Sequence, residues 1–357
     1  MVIYWATGEA ADAALSRMTL QNQVQPVSRS QLVGLGGVMA VFQLESTARA
    51  AEFRARTALE FPAATIDFNT LYRPLQQQGM PRIYLPGKID WTKPDTAQAR
   101  AALVRIGMVD GPVSFVPALD GVSLSRKSFL ALGDIPASPV HATAIATLIA
   151  GRDLKSGFAG VAGPALLYSA EVMRSAGRED ATSSAALVRA LDWLLTQGVR
   201  VVNLSLGGPG DAVMAKAFAR LGELAVVVVA AAGNGGAAAP PAYPAAYPSV
   251  LAVTATDAAD NIYAGANHGD YIALAAPGVD VWVPDERSGH YVTGTSFSAA
   301  VITSAVALLL QRTPGLGARK TLAQLCRTAR DLGTPGTDPV FGCGLVQIAA
   351  ALADGRQ

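Results

Sequence analysis

The chain has 357 residues, of which 51% are hydrophobic and 15% are charged, and its formal net charge is +1 at pH 7. That length predicts about two domains with a sizeable buried core. The near-neutral charge argues against an electrostatic nucleic-acid binder, so no nucleic acid is expected among the partners. No apolar run predicts a membrane span, and no charged segment with a following apolar stretch marks the start as a signal peptide.

Residues 1–72 predict a small α+β unit. The apolar periodicity indicates four strands and two helices, in the order strand 2–6, helix 9–18, strand 23–28, strand 37–44, helix 47–59 and strand 64–68. This β-α-β-β-α-β order is typical of a ferredoxin-like unit. Because such folds host many functions, an unrelated appended domain remains a second interpretation.

Residues 73–100 are predicted to form an extended linker. They lack sustained periodicity, and they contain Pro74, Gly79, Pro81, Pro86, Gly87 and Pro94.

Residues 101–357 predict a three-layer α/β domain with a mostly parallel sheet. Helices are expected over 183–196, 212–224, 295–311, 318–329 and 345–352. Polar residues end three apolar strands, at Asp110, Ser205 and Asn234. Ligands of open parallel sheets bind beyond the carboxyl ends of the strands, so these residues are expected to converge on one edge.

Two further residues, His141 and Ser296, stand at the starts of apolar helices. Taken alone, a histidine there is usually structural, and a serine is a common helix cap. Helix starts and strand ends lie on the same edge of a doubly wound sheet, however. We therefore expect both residues to join the polar cluster.

The motifs around these residues resemble those of the subtilisin-like serine proteases. They are ordered along the chain as Val104–Pro112, His141–Gly151, Val201–Gly208, Ala231–Asn234, Tyr243–Val250, Ala276–Val279 and Tyr291–Ala300. The resemblance spans residues 104–351, and so many ordered motifs make coincidence improbable. The N-terminal element order resembles the inhibitory prodomain of the same family.

The resemblance implies a serine endopeptidase. Asp110, His141 and Ser296 match the catalytic triad in order and in role, and Asn234 matches the oxyanion-hole asparagine. The substrate-binding residues implied are Ser205, Leu206, Gly207, Ala231, Ala232, Gly233 and Ala242, the last near the floor of the primary pocket. None of them is charged, which predicts preference for apolar or aromatic residues on the acyl side of the cleaved bond.

The implied partners are protein or peptide substrates and the chain's own N-terminal unit, acting as folding template and intramolecular inhibitor. A zymogen of this kind processes itself, and we expect the cut between Asn69 and Gly87, near Tyr72. We expect a secreted or periplasmic protein, and the lack of a recognisable export signal keeps an intracellular protein as the alternative.

Three departures from the family pattern are interpreted as subfamily variation, because none of them removes a reacting atom, and two alternative functions are kept beside the endopeptidase. Gly111 follows the aspartate where Thr or Ser is usual, Ala142 replaces a glycine, and Ala300 replaces a proline. A catalytically silent binding module, with its groove plugged by the N-terminal unit, is one alternative. A dedicated processing protease or peptide ligase is another.

No cofactor is predicted. Calcium sites are common in the family, but the loop Arg152–Ser156 carries two cations and places Leu154 at a ligand position, so none is assigned. Cys326 and Cys343 are either free thiols or a disulfide. A disulfide would close a loop of roughly 17 residues and contribute about 3 kcal/mol.

Overall fold

The computed structural model describes residues 1–22, 24–74, 84–91, 103–177, 179–287 and 289–354. The described strands are β1 Val2–Trp5, β2 Ser28–Gln31, β3 Val38–Val41, β4 Thr65–Asp67, β5 Leu71–Pro74, β6 Arg105–Asp110, β7 Ser123–Ser128, β8 Arg152–Asp153, β9 Phe158–Ala159, β10 Leu166–Glu171, β11 Arg174–Ala176, β12 Glu179–Ser183, β13 Val201–Leu204, β14 Leu206–Gly207, β15 Val227–Ala231, β16 Val250–Thr256, β17 Ile272–Pro277, β18 Val281–Val283 and β19 His290–Val292.

The described α-helices are α1 Gly8–Asn22, α2 Thr47–Glu60, α3 Leu85–Lys88, α4 Val140–Ala150, α5 Ser184–Thr196, α6 Ala212–Glu223, α7 Thr295–Arg312, α8 Ala318–Thr328 and α9 Ile348–Asp354. A short 3-10 helix covers Pro117–Leu119.

The N-terminal unit is a four-stranded antiparallel sheet with two helices. Its strands lie in the order β2-β3-β1-β4, and a core that includes Ile3, Phe42 and Phe53 fills the space between sheet and helices. The β-α-β-β-α-β order agrees with the prediction, but the strand predicted over 23–28 is wrong. Pro26 cannot donate to a strand ladder, and the pairing with β3 begins at Ser28.

The larger domain has three layers around a seven-stranded sheet. The strand order is β17-β16-β15-β13-β6-β10-β7, and every neighbouring pair is parallel. Alternate residues of β15 face opposite sides: Val229 packs in the cluster with α4 and α7, and Val228 packs in the cluster with α5 and α6. The predicted α/β fold class is confirmed.

Helix α7 is long and apolar enough to cross a membrane by length and composition, but its residues are nearly all buried inside the protein. It contacts β13, β15, β16 and β17. These contacts identify it as the central core helix of the α/β domain.

Residues 84–91 belong to the α/β domain, so the linker predicted over 73–100 is wrong there. Leu85 and Ile89 are buried in the core beside α4 and α7. Lys88 Nζ lies 2.9 Å from Asp260 Oδ1, and the Ile348 N–H donates to the Ile89 carbonyl at 2.7 Å. The prolines and glycines of this segment predicted a linker, although it contains the short helix α3. Residues 75–83 and 92–102 lie outside the described residues.

The N-terminal unit packs on helices α5 and α6. Leu35 and Met39 share a buried cluster with side chains of both helices. The Leu35 N–H donates to Asp192 Oδ1 at 2.7 Å, and Asp67 Oδ2 accepts from the Ala212 N–H, at the start of α6, at 3.0 Å. The contact therefore combines apolar packing with two carboxylates that satisfy main-chain donors.

Cys326 and Cys343 form a disulfide, with a Cα–Cα distance of 5.4 Å. The structure therefore supports the disulfide rather than two free thiols.

Candidate active site

Three predicted site residues meet at the carboxyl edge of the parallel sheet. Asp110 is the last residue of β6, His141 is the second residue of α4, and Ser296 is the second residue of α7. Their exposed fractions are 3%, 6% and 0%. This is the edge at which parallel α/β sheets bind ligands, and the topology brings together residues that are far apart in sequence.

Asp110 holds one ring nitrogen of His141. The Nδ1 atom lies 3.0 Å from Asp110 Oδ1 and 2.9 Å from Oδ2. The Gly111 N–H also donates to Asp110 Oδ1, at 2.7 Å. The main chain thus supplies a hydrogen bond to this carboxylate although residue 111 has no side-chain hydroxyl.

The imidazole ring of His141 lies next to the start of α7. The imidazole packs against Phe297, the residue after Ser296, with ring centroids 5.7 Å apart. Nε2 is buried and has no hydrogen-bond partner among the described residues. When Nδ1 donates its proton to Asp110, Nε2 of the neutral ring is a proton acceptor.

The side chain of Asn234 is fixed by Thr295. Its Oδ1 accepts from the Thr295 N–H at 3.1 Å and from the Thr295 hydroxyl at 2.9 Å. Its Nδ2 is buried, with no hydrogen-bond partner in the described part of the chain. The amide orientation that follows presents an unused N–H donor beside the start of α7.

The loop that carries Asn234 depends on a close backbone approach at Gly233. This glycine has φ +120°, and a Cβ added to it would lie 2.5 Å from Asn267 Nδ2. Asn267 in turn accepts from the Gly235 N–H at 2.8 Å and donates to the Pro240 carbonyl at 3.1 Å. Sequence reasoning did not identify Thr295 or Asn267; only the Gly-Thr-Ser triplet at the start of α7 hinted at the first.

The predicted substrate-binding strand is paired with the N-terminal segment. In β14, Leu206 lies opposite Pro74, and Gly207 lies opposite Arg73, in an antiparallel register. On its other side, β5 pairs antiparallel with β12. Strand β5 therefore lies next to the segment that contains Ser205, whose carbonyl oxygen lies 3.3 Å from Ser296 Oγ.

The predicted pocket walls lie beyond this strand. Ala231 and Ala232 are fully buried. The Tyr271 hydroxyl donates to the Ala232 carbonyl at 2.8 Å and is also hydrogen-bonded to the backbone of Ala242, while burial raises the Tyr271 pKa. Tyr271 thus joins two predicted wall segments, a role that the sequence pattern did not indicate.

A second aspartate–histidine pair lies outside this cluster. His290 Nδ1 is 3.1 Å from Asp285 Oδ2, and both side chains are about one-third exposed. Asp285 precedes His290 by only five residues in the same segment. The pair therefore forms through a local contact and does not depend on the pairing of distant strands.

The sequence profile of the subtilase family matches residues 132–344. The chain is 31% identical to subtilisin DY of Bacillus licheniformis, over 75% of this chain and 98% of that protein. It is 33% identical to the minor extracellular protease Epr of Bacillus subtilis (strain 168), over 60% of this chain but only 33% of that relative.

A solved structure has the same fold. Fervidolysin from Fervidobacterium pennivorans, described as a keratinolytic enzyme related to subtilisin, superposes with a TM-score of 0.78 at 20% identity. The match covers 99% of this chain and 60% of fervidolysin. The likeness of fold therefore includes the N-terminal unit.

Proposed function

Because the chain belongs to the subtilase family of serine endopeptidases, we propose that it hydrolyses peptide bonds through Asp110, His141 and Ser296. A serine hydroxyl is a weak nucleophile until a base takes its proton. His141 Nε2 is that base, and the imidazolium that forms is stabilised by the Asp110 carboxylate on Nδ1.

In the proposed reaction, Ser296 Oγ attacks the scissile carbonyl and forms a tetrahedral intermediate. Asn234 Nδ2 donates to the oxyanion. The C–N bond then breaks as His141 returns the proton to the leaving amine, which leaves an acyl-enzyme on Ser296. Water, deprotonated by the same imidazole, attacks the ester and releases the acid.

The observation that carries this proposal is a pair of buried, unused groups with complementary roles. His141 Nε2 is an acceptor and Asn234 Nδ2 is a donor, and neither has a partner among the described residues. Buried polar groups normally find partners. These two differ from the other unpartnered atoms because each side chain contacts a residue next to Ser296: His141 packs on Phe297, and Asn234 is hydrogen-bonded to Thr295. An acyl-transfer site requires such groups, because their partners exist only when substrate reacts.

The test is Ser296→Ala, with His290→Gln as the matched control. Loss of turnover by four to six orders of magnitude is expected for Ser296→Ala, a range set by measurements on subtilisin itself, while the control keeps parental activity. A fluorophosphonate probe should label the processed parent at Ser296. A parent that resists the probe would favour the silent binding module.

The proposed substrates carry an apolar residue on the acyl side of the cleaved bond. The wall residues Ala231, Ala232 and Gly233 bring no charge, and a charged side chain in a dry pocket carries a desolvation penalty. Faster cleavage after Arg or Glu than after Leu or Phe in a peptide library would contradict this pocket assignment.

The N-terminal unit is proposed as the inhibitor and first substrate of the enzyme, since β5 pairs antiparallel with β12 and β14. Its register moves the proposed cut away from Tyr72. Tyr72 lies opposite Thr182, and Pro74, the last described residue of β5, lies opposite Leu206. We therefore propose that the cut follows the next residue of the sequence, Leu75. Leu75 lies outside the described residues, and its apolar side chain suits the proposed pocket.

The predicted cut is checked by sequencing the processed protein, whose new N-terminus should be Gln76. The Ser296→Ala chain should remain uncut at that bond. Cleavage far from this position would show that β5 does not lie in the groove as a substrate does.

We also propose that the protein acts outside the cytoplasm. A relative is named an extracellular protease, and the Cys326–Cys343 disulfide is typical of oxidising compartments. Fractionation of the producing cells, with the protein recovered from the cytosol only, would contradict this.

A further inference from the structure

Three buried side chains form a chain of hydrogen bonds that ends at the nucleophile's own main chain. The Thr303 hydroxyl donates to Asn203 Oδ1 at 3.0 Å, and Asn203 Nδ2 donates to Ser205 Oγ at 2.9 Å. The Ser205 hydroxyl donates to the Ser296 carbonyl at 3.0 Å. All four residues are fully buried, with exposed fractions of 0%.

The direction of this chain is fixed by its chemistry. The Ser205 hydroxyl has one proton, which goes to Ser296, so its oxygen must accept from the Asn203 amide. The Asn203 Oδ1 atom then faces Thr303, whose hydroxyl can only be its donor. Each member orients the next, and removal of the Thr303 hydroxyl leaves a buried acceptor unpaired.

The two ends of the chain lie on the same helix. Thr303 follows Ser296 by seven residues, which is about two turns of α7, so both positions share one face. Asn203 lies in β13, and Ser205 lies between β13 and β14. The hydrogen bonds therefore tie the junction of β13 and β14 to α7 at two points.

We infer that Asn203 and Thr303 are positioning residues that align the substrate strand with the nucleophile; the inference rests on the proposed function. The peptide segment β5 pairs with Leu206 and Gly207, so the position of β14 sets the position of a bound peptide backbone. The helix α7 is packed against five strands of the sheet, namely β6, β13, β15, β16 and β17. Loss of the Thr303 hydroxyl therefore displaces the Ser205 junction rather than the helix.

A displaced junction should slow the turnover of peptide substrates more than the reaction of Ser296 with a small reagent. A misplacement of about 1 Å at the reacting atoms costs up to about 100-fold in rate. A small reagent with no peptide backbone does not use β14 and does not depend on this alignment. The comparison between the two separates a positioning role from a general loss of structure.

The experiment compares Thr303→Val, Thr303→Ser and Ser304→Ala in the full-length chain, with Ser296→Ala as the blank. Each is activated by a trace of parent enzyme. Ser304 is the matched control, because its buried hydroxyl donates only to the Ala300 carbonyl of its own helix at 2.8 Å. The readouts are kcat and KM for a tetrapeptide amide and the rate of labelling by a small fluorophosphonate.

Thr303→Val is expected to lower kcat on the tetrapeptide by about 10- to 100-fold, with KM and the labelling rate within about threefold of the parent. Thr303→Ser and Ser304→Ala should keep the parental kcat. Equal kcat for Thr303→Val and the parent, or a parallel fall of turnover and labelling, would overturn the positioning role. A parent without turnover or labelling would overturn the proposed function and this inference together.

Discussion

The N-terminal unit and the α/β domain build their sheets differently: the unit pairs its four strands antiparallel, and the domain pairs its seven strands parallel. In the unit, antiparallel strands pair residues such as Val38 with Trp5 and Gln31. In the α/β domain, β6 pairs with β13 through Ile106 and Val201, across most of a hundred residues. Long-range parallel pairing is slow because chain entropy is lost before the contacts form.

This contrast suggests a physical reason for joining the two regions in one chain, namely that the unit assists the folding of the α/β domain. The unit can form early, and its docked face presents Asp67 to the start of α6 and receives Asp192 from α5. Both helices cover one face of the seven-stranded parallel sheet, which is expected to form slowly. A preformed unit that holds them would lower the entropy lost when the parallel strands assemble, and its β5 segment would then lie in the finished groove.

The largest expected effect comes from removing the unit. A chain of residues 76–357 keeps the buried segment 84–91 but lacks the proposed template, and we expect it to refold slower than the full chain by orders of magnitude. Tryptophan fluorescence after dilution from denaturant measures the rate, and the separate N-terminal unit, added in trans, should restore it. Fast refolding that ignores the added unit would leave an accessory domain of unknown purpose.

The next effect is confined to the α/β domain. Asn234→Leu removes the Nδ2 donor and should lower kcat by about 100- to 1,000-fold, a magnitude measured on the equivalent residue of subtilisin, with little change in KM. Binding of the N-terminal unit should be unaffected, because the unit contacts α5, α6, β12 and β14. Steady-state kinetics and unit binding on one preparation check both halves of this expectation.

A smaller effect is expected at the interface. A Cβ on Gly34 would lie 2.6 Å from Leu195 Cβ and 2.7 Å from the Asp192 carbonyl oxygen, whereas a Cβ on Gly8 would meet nothing within 4 Å. Gly34→Ala should weaken the docked unit by about 1–3 kcal/mol. Diluted processed protein should therefore regain activity sooner than the Gly8→Ala control. Equal rates for both variants would contradict the docked geometry.

The smallest effect is a pH dependence of the same interface. Burial raises the pKa of Asp192 above 3.8, although the amides of Leu35, Gly34 and Val33 lower it in part. A raised pKa means that Asp192 contributes most to the assembly below pH 3.8, and that this contribution is lost as the pH rises through the raised value.

This dependence is isolated by comparing Asp192→Asn with its parent in a Ser296→Ala background, which stays uncut. The melting temperature of the parent, relative to the asparagine variant, should fall as the pH rises from about 3.8 and then level off. The exposed Glu45→Gln change serves as the control. A constant difference across the range would show that Asp192 keeps its ordinary pKa in the assembly.

Much of the site could be predicted from the sequence because its signals are local. A strand that ends at Asp110 and helices that begin at His141 and Ser296 are readable from apolar periodicity, and parallel topology puts such ends on one edge. The resemblance to a known family then supplied the roles. The element order of the N-terminal unit was readable for the same reason, since each strand and helix carries its own periodicity.

The tertiary structure decided what depends on contacts between distant segments. The burial of residues 84–91 follows from partners such as Asp260 and Ile348, which local composition cannot show. The same is true of Thr295 against Asn234, and of the hydrogen bonds from Thr303 to Ser205. The sequence determined which elements form and which groups can react, because these depend on neighbours along the chain. The fold determined their alignment, because buried hydrogen bonds are satisfied by residues that only the packed sheet brings within 3 Å or so.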